Sequence, residues 1–233
     1  MDRHPVHVLR TELYEVGRIA EAAGDPARWA IPLDEFVRRT AIEFRQGTVT
    51  GIDLEHHVVA LEGERLTFSQ LAIALGSVAA YYHIPGASET THSVYRLSGA
   101  QRLAAELQTV ARRSVQFPGE RRPRVVIVGG GTTGTELAAE IAGADWGAIT
   151  GLASVRPMEV VLVTGALPFL AGLPPDLIDR ARRLLEAAGV HLIYGTNVAR
   201  VEPGRLHLDD GSILAAEAIV WCAGLQAPPT VAG

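Results

Sequence analysis

The stretch "RVVIVGGGTTGTELAAEIA", residues 124–142, limits the possible folds more than any other part of the chain. Its apolar run has no polar alternation, which predicts a strand covered on both faces, as in a parallel sheet. Three glycines end the run, and helix-forming residues begin at once. Gly129, Gly131 and Gly134 make the pattern G-x-G-x-x-G. The first permits a tight turn and the second lets backbone approach a pyrophosphate. The third lets helix and strand pack closely, so that phosphate can sit at the helix N-terminus. The plain alternative is a glycine-rich turn with no ligand. The strand before it and the helix after it favour the nucleotide.

The pattern around this turn extends the same architecture. "MEVVLVT" (158–164) and "VHLIYG" (190–195) read as further buried strands. Between them, "PPDLIDRARRLLEAAG" predicts an amphipathic helix with Leu177, Ile178, Ala181, Leu184 and Leu185 on one face. Pro175 near its start and Gly189 just past its end suit helix boundaries. Shorter strands follow in "NVARVE", "RLHLDD" and "AEAIVWCAG", with a turn at "DDGS". The expected fold class is therefore α/β: a Rossmann-like FAD/NAD(P)-binding fold, a parallel sheet with helices plus an antiparallel meander.

The first half is less regular. Helices are predicted over 9–19 and 32–39, and three short strands in 42–62, with turns at Gly47 and near Glu55. "QLAIALGS" (70–77) reads as a buried strand, and 98–113 as a long helix. Pro, Gly and charge cluster in 114–124 like a linker. This divides the chain into 1–118 and 119–233.

Composition removes several function classes. Every one of the 21 basic residues is Arg, so no lysine chemistry is available. A formal net charge of −5 gives no support for a nucleic-acid-binding face. One cysteine, Cys222, forbids an internal disulfide or a CxxC redox pair, and its apolar strand suggests a packed, inert thiol. His4, His7, His56 and His57 lack the partners of a metal set, so no metal is expected. The opening residues lack the apolar core of a secretion signal and no run is long enough to span a bilayer, so a cytoplasmic location is expected.

In a dinucleotide fold an acid closing the second strand binds the ribose, but "VVLVT" closes with Thr164. Its hydroxyl carries no charge, which leaves NADH versus NADPH open. Glu136, in the first turns of the helix, is explained by the helix dipole or by a place beside a nicotinamide; the turn alone does not choose.

"HVLRTELYEV", "IPLDEFVRR", "FRQGTVTGIDLE", "LAIALGS…IPG", "VVIVGGGTTGTELAAEIA" and "IVWCAGLQAPP" resemble, in this order, the type II NADH dehydrogenases. These belong to the two-dinucleotide-domain flavoproteins. The resemblance implies FAD and NADH or NADPH as cofactors, a quinone-like acceptor, and hydride transfer from NAD(P)H to flavin. It implies that Gly129, Gly131 and Gly134, with Thr132 and Thr133 between them, receive the NAD(P)H pyrophosphate. Glu136 would lie near the nicotinamide and act in catalysis, and Gly224 would line the cleft. Val49 would meet the FAD adenine, Ala74, Leu75 and Gly76 the flavin nucleotide, and Thr11 the isoalloxazine side.

The resemblance also implies an incomplete FAD-binding domain (1–118) before an NAD(P)H domain (119–233). The first glycine turn of the family and its C-terminal quinone and membrane region have no counterpart in these residues. FAD is therefore not expected to be held by this chain alone, and a homo-oligomer is one expected consequence of an unpaired sheet edge. The alternatives are a non-catalytic nucleotide-binding module, or another flavoprotein reductase of the superfamily that passes electrons to a protein partner.

Overall fold

The computed structural model describes residues 2–8, 13–21, 30–117 and 121–231. Two compact units are present. The first comprises Met1–Leu9, Pro26–Val78 and Leu225–Gly233; the second comprises Arg10–Asp25 and Ala79–Gly224.

The first unit is built from short antiparallel pieces. Val6–Val8 pairs with Ala30–Pro32, and the latter leads into the single-turn helix Leu33–Val37. Val49–Asp53, Val58–Leu61 and Glu64–Thr67 form a three-stranded meander. At its first turn the Asp53 carboxylate accepts from the amides of Glu55 and His56, a side-chain substitute for backbone turn bonding. Val59 and Leu61 are buried while Val58 and Ala60 are half-buried, the period-2 alternation of a one-sided sheet.

Two expectations need correction here. The segment 42–62 holds two strands, not three; the third of the meander lies beyond it and is too polar to stand out. Residues 71–77 form no strand, and Ile73 and Leu75 are 51% and 37% exposed. A strand exists only through its ladder, and no described strand pairs with these residues. Their apolar character alone does not bury them.

The second unit contains the helices α1 (Val16–Glu21), α2 (Ala87–Thr90), α3 (Leu97–Gln116), α4 (Thr132–Gly143), α5 (Trp146–Thr150) and α6 (Pro175–Ala187). Its strands are β1 (Arg124–Val128), β2 (Glu159–Thr164), β3 (His191–Tyr194), β4 (Val198–Glu202), β5 (Arg205–Leu208), β6 (Ile213–Ala215) and β7 (Ala218–Trp221). The parallel sheet runs β7-β1-β2-β3, and β4-β5-β6 is an antiparallel meander. Val125, Val126 and Ile127 are fully buried at the centre of the parallel sheet, as the unalternated run requires.

Helix α3 buries Ala100, Leu103, Ala104, Leu107, Val110 and Ala111, one stripe at helical spacing. It runs past Arg113 to Gln116, into the residues expected to form a linker. Helix α6 starts at Pro175, and Gly189 follows it in the left-handed region at φ +81°. Its apolar face is narrower than the sequence suggests. Leu185 is buried and Ile178 half-buried, but Leu177 and Leu184 are 47% and 61% exposed. They lie at the edges of the stripe, where an amphipathic helix meets solvent.

Candidate functional site

The turn between β1 and α4 is built from glycines with different physical duties. Gly129 has φ +115°, and a Cβ there would lie 2.5 Å from the carbonyl group of Cys222. A Cβ at Gly134 would lie 2.0 Å from the Gly129 carbonyl oxygen. These two positions admit glycine because backbone occupies the space. Gly130, outside the sequence pattern, is almost as confined: its Cβ would lie 2.7 Å from that of Thr164. Gly131 differs from all three. Nothing lies within 4 Å of a Cβ built on it, and its φ of −78° suits any residue.

The space before Gly131 faces a helix terminus with free donors. The first bond of α4 runs from the Thr135 amide to the Gly131 carbonyl, and no side chain caps the helix. The amides ahead of Thr135 therefore have no partner within the helix, and the dipole adds partial positive charge. Gly131 and Thr132 are exposed and Thr133 is half-buried. An anion of phosphate type fits this arrangement without rearranging it.

The remaining candidate residues fall into three groups. Gly224 lies in the second unit beyond the end of β7, with φ +152°. Glu136 is exposed on α4. Val49 is half-buried at the start of its strand in the first unit, where Ala74, Leu75 and Gly76 form an exposed segment. Thr11 lies outside the described residues.

Thr164 does close β2, but its side chain does not face outward. It is 2% exposed, packs under Gly130, and its hydroxyl donates to the Leu167 carbonyl oxygen at 3.2 Å. The chain after it folds back over the turn, with the Leu170 amide bonding the Gly130 carbonyl at 2.8 Å.

Sequence reasoning missed the side chains that reach the turn from distant segments. The Thr133 hydroxyl donates to the Tyr14 hydroxyl at 3.4 Å and also bonds Tyr95, whose phenol burial pushes well above its usual value. Two turns further along the same face, Glu140 accepts from the Gly17 amide at 3.3 Å. Burial raises the Glu140 carboxyl above the ordinary range, and the Gly17 bond offsets only part of that. Spacing of 133, 137 and 140 on α4 places all three on one face, but the partners could not be read from it. Cys222 is buried beside the turn, and desolvation pushes its thiol up to about 12, an unreactive thiol at neutral pH.

Two open cavities of about 480 and 400 Å³ adjoin Pro157 and Met158, where β2 begins. They lie at the opposite strand ends from the turn. Open parallel sheets bind ligands at the carboxyl ends, so the turn is the better candidate. Among the described residues no cluster of His, Cys, Asp and Glu is arranged to hold a metal.

The pattern of the pyridine nucleotide-disulphide oxidoreductase family matches residues 7–232. The chain belongs to this family. An NADH dehydrogenase-like protein of Bacillus subtilis, YutJ, is 28% identical over 227 residues, covering 97% of this chain and 57% of that protein. A type II NADH:quinone oxidoreductase of Haemophilus influenzae is 26% identical, covering 97% of this chain and 57% of its own length. The structure of NDH2 from Plasmodium falciparum in complex with NADH superposes with a TM-score of 0.82 at 15% identity, covering 99% of this chain and 50% of that one. This last likeness shows the shared FAD/NAD(P)-binding fold. The chain spans a little over half the length of these two relatives.

Proposed function

We propose that the chain binds NADH or NADPH, with the pyrophosphate over Gly131 and the N-terminus of α4. In this reading it is the nucleotide-binding part of a flavin-dependent dehydrogenase that delivers electrons to a quinone. One observation carries the nucleotide reading: the single glycine of the turn with open space before it faces the uncapped amides of α4. Residues 119–233 are then the NAD(P)H domain and 1–118 the flavin side. The named activities of the relatives support the quinone as acceptor. Among the described residues no helix is long and apolar enough to cross a membrane.

The roles follow from charge and position. The α4 amides would hold the pyrophosphate, and Glu136, exposed on the same helix, would meet the nicotinamide side. Thr164 contributes no charge and keeps its hydroxyl on Leu167, so it neither attracts nor repels a 2′-phosphate strongly. The expected NADH/NADPH difference is about 1 kcal/mol, the size of one net hydrogen bond. A flavin, when bound, would accept the hydride. For that group the fit is partial, since residues 74–76 offer exposed backbone and Val49 a strand start, without a second phosphate cradle among the described residues.

Titration calorimetry with NADH and NADPH on the wild type and Gly131→Val tests the reading. Valine fits the backbone at 131 but fills the pyrophosphate space, so both affinities should fall about tenfold or more. Unchanged affinities would leave the turn as a purely structural element. A substitution at Thr164 is a poorer test, because a larger side chain there would push on Gly130. The partial flavin fit favours a second reading, a nucleotide-binding module without its own flavin. Flavin absorbance of the purified chain separates the two: we expect it to be sub-stoichiometric, and one flavin per chain would reject the module.

A further inference from the structure

Tyr82 adopts a backbone conformation that bulky residues rarely take, with φ +51°. Its ring is not buried in return, because the residue is 62% exposed. Its hydroxyl donates one hydrogen bond, to the Ala223 carbonyl oxygen at 3.2 Å. Beneath it lies Gly224, where a Cβ would come within 2.2 Å of the Tyr82 Oη. The phenol thus occupies the place that a side chain at 224 would take.

That place belongs to the carboxyl end of the sheet. The Cys222 amide bonds the Val128 carbonyl at 2.7 Å, and a Cβ on Gly129 would lie 2.7 Å from the Ala223 nitrogen. The bend after β7 and the nucleotide turn after β1 are therefore in contact. Strand order then decides which half of a nucleotide comes here. In this fold the adenosine ribose lies by the end of the second strand, β2. β7 flanks β1 on the side away from β2. With the pyrophosphate at Gly131, the nicotinamide half extends towards β7 and Gly224.

The geometry points to Tyr82 as a displaceable cover that the nicotinamide half must move off Gly224 in order to bind. This rests on the dinucleotide reading of the turn. An exposed ring held by one bond to a neutral carbonyl is lightly held, so the covered and uncovered forms interconvert readily. Covering lowers apparent affinity by the fraction of molecules in the open form.

The test compares Tyr82→Ala and Tyr82→Phe with the wild type, using stopped-flow NADH fluorescence for association and calorimetry for affinity. Tyr82→Ala removes the cover and should tighten NADH about three- to tenfold, mainly through faster association. Tyr82→Phe keeps the ring but loses the bond to Ala223, and should show a smaller gain of about two- to threefold. Adenosine monophosphate, which lacks the nicotinamide half, should bind all three proteins equally. Tyr82→Ala binding NADH unchanged or more weakly overturns the proposal, as does an equal gain for the monophosphate. Because Tyr82 is exposed, circular dichroism should show the variants folded, and the Phe variant serves if the Ala variant is not. Gly131→Val separates the two levels of inference. If it fails to weaken NADH, the dinucleotide reading falls and the cover with it; if it weakens NADH while Tyr82→Ala has no effect, only the cover falls.

Discussion

Residues 125–128 and 71–75 are similarly apolar runs, each followed by a glycine within two residues, yet they end in opposite environments. The first is the core of β1, bonded to β7 on one side and β2 on the other, with every side chain buried. The second has no described ladder partner, and Ile73 is half exposed. Burial is thus set by what surrounds a run. Composition only makes a run eligible for it. The helix stripes make the same point: α3 buries its whole stripe, whereas α6 leaves Leu177 and Leu184 in solvent.

The largest effects should come from breaking the turn that follows the buried run. Gly134→Val would place a side chain on the Gly129 carbonyl, 2.0 Å from its oxygen, with the Cys222 Cβ at 3.5 Å and no flexible side-chain end to yield. We expect a loss of about 3 kcal/mol or more, read as a lowered urea midpoint, or no folded protein at all. Gly131→Val should leave the stability within about 0.5 kcal/mol of the wild type, since the added atoms meet nothing. A similar loss at both positions would mean that Gly131 is structural too, and would remove the physical basis of the nucleotide site.

A smaller contrast tests the two runs themselves. Leu107→Ala, in the buried stripe of α3, should cost about 2–5 kcal/mol by opening a cavity. Leu75→Ser, in the exposed segment, should stay within about 0.5 kcal/mol. Denaturant titrations of the two variants decide it. A large loss from Leu75→Ser would show that residues 71–77 are covered in solution, by a partner strand or another copy of the chain, and the contrast would collapse.

The β1–turn–α4 unit was legible from sequence because each of its signals is local. An unalternated run, three glycines and a helix pattern fall within nineteen residues. β2, α6 and β3 followed from the same periodicities. The polar strand Glu64–Thr67 and the three-residue strand Ile213–Ala215 were missed because they are short and stabilised by meander neighbours. At the site, Gly129, Gly131 and Gly134 look alike in sequence, and only the surrounding backbone separates the two confined positions from the open one. Thr164 was placed correctly at a strand end, but its direction depends on Leu167 folding back. Arg124, read as a solvated linker residue, instead begins β1 and pairs with Glu159 at 3.0 Å. Tyr82 and Glu140 carry no sequence signal, since their partners lie 141 and 123 residues away.

The smallest expected effect sharpens the comparison at its polar edge, where α4 is half-covered by α1. Glu140 sits there with its carboxyl raised by burial while accepting from the Gly17 amide. A raised carboxyl means that the folded state holds a proton that the unfolded chain has already released. Stability from this group is then fully present at about pH 4 and below, and declines as pH rises through the raised value. Glu140→Gln keeps an oxygen for the Gly17 amide but carries no charge to desolvate. The variant should therefore be more stable than the wild type at pH 7, by less than about 1 kcal/mol because solvent screens a half-exposed group. The gap should close towards pH 4, where the wild-type carboxyl is neutral as well. Thermal melts of both proteins across that range measure it. A Gln variant less stable than the wild type at pH 7 would mean that the charged carboxylate gains more from Gly17 than burial costs it. The edge between α1 and α4 would then be held by charge, and the buried-versus-exposed contrast would not be enough to rank residues there.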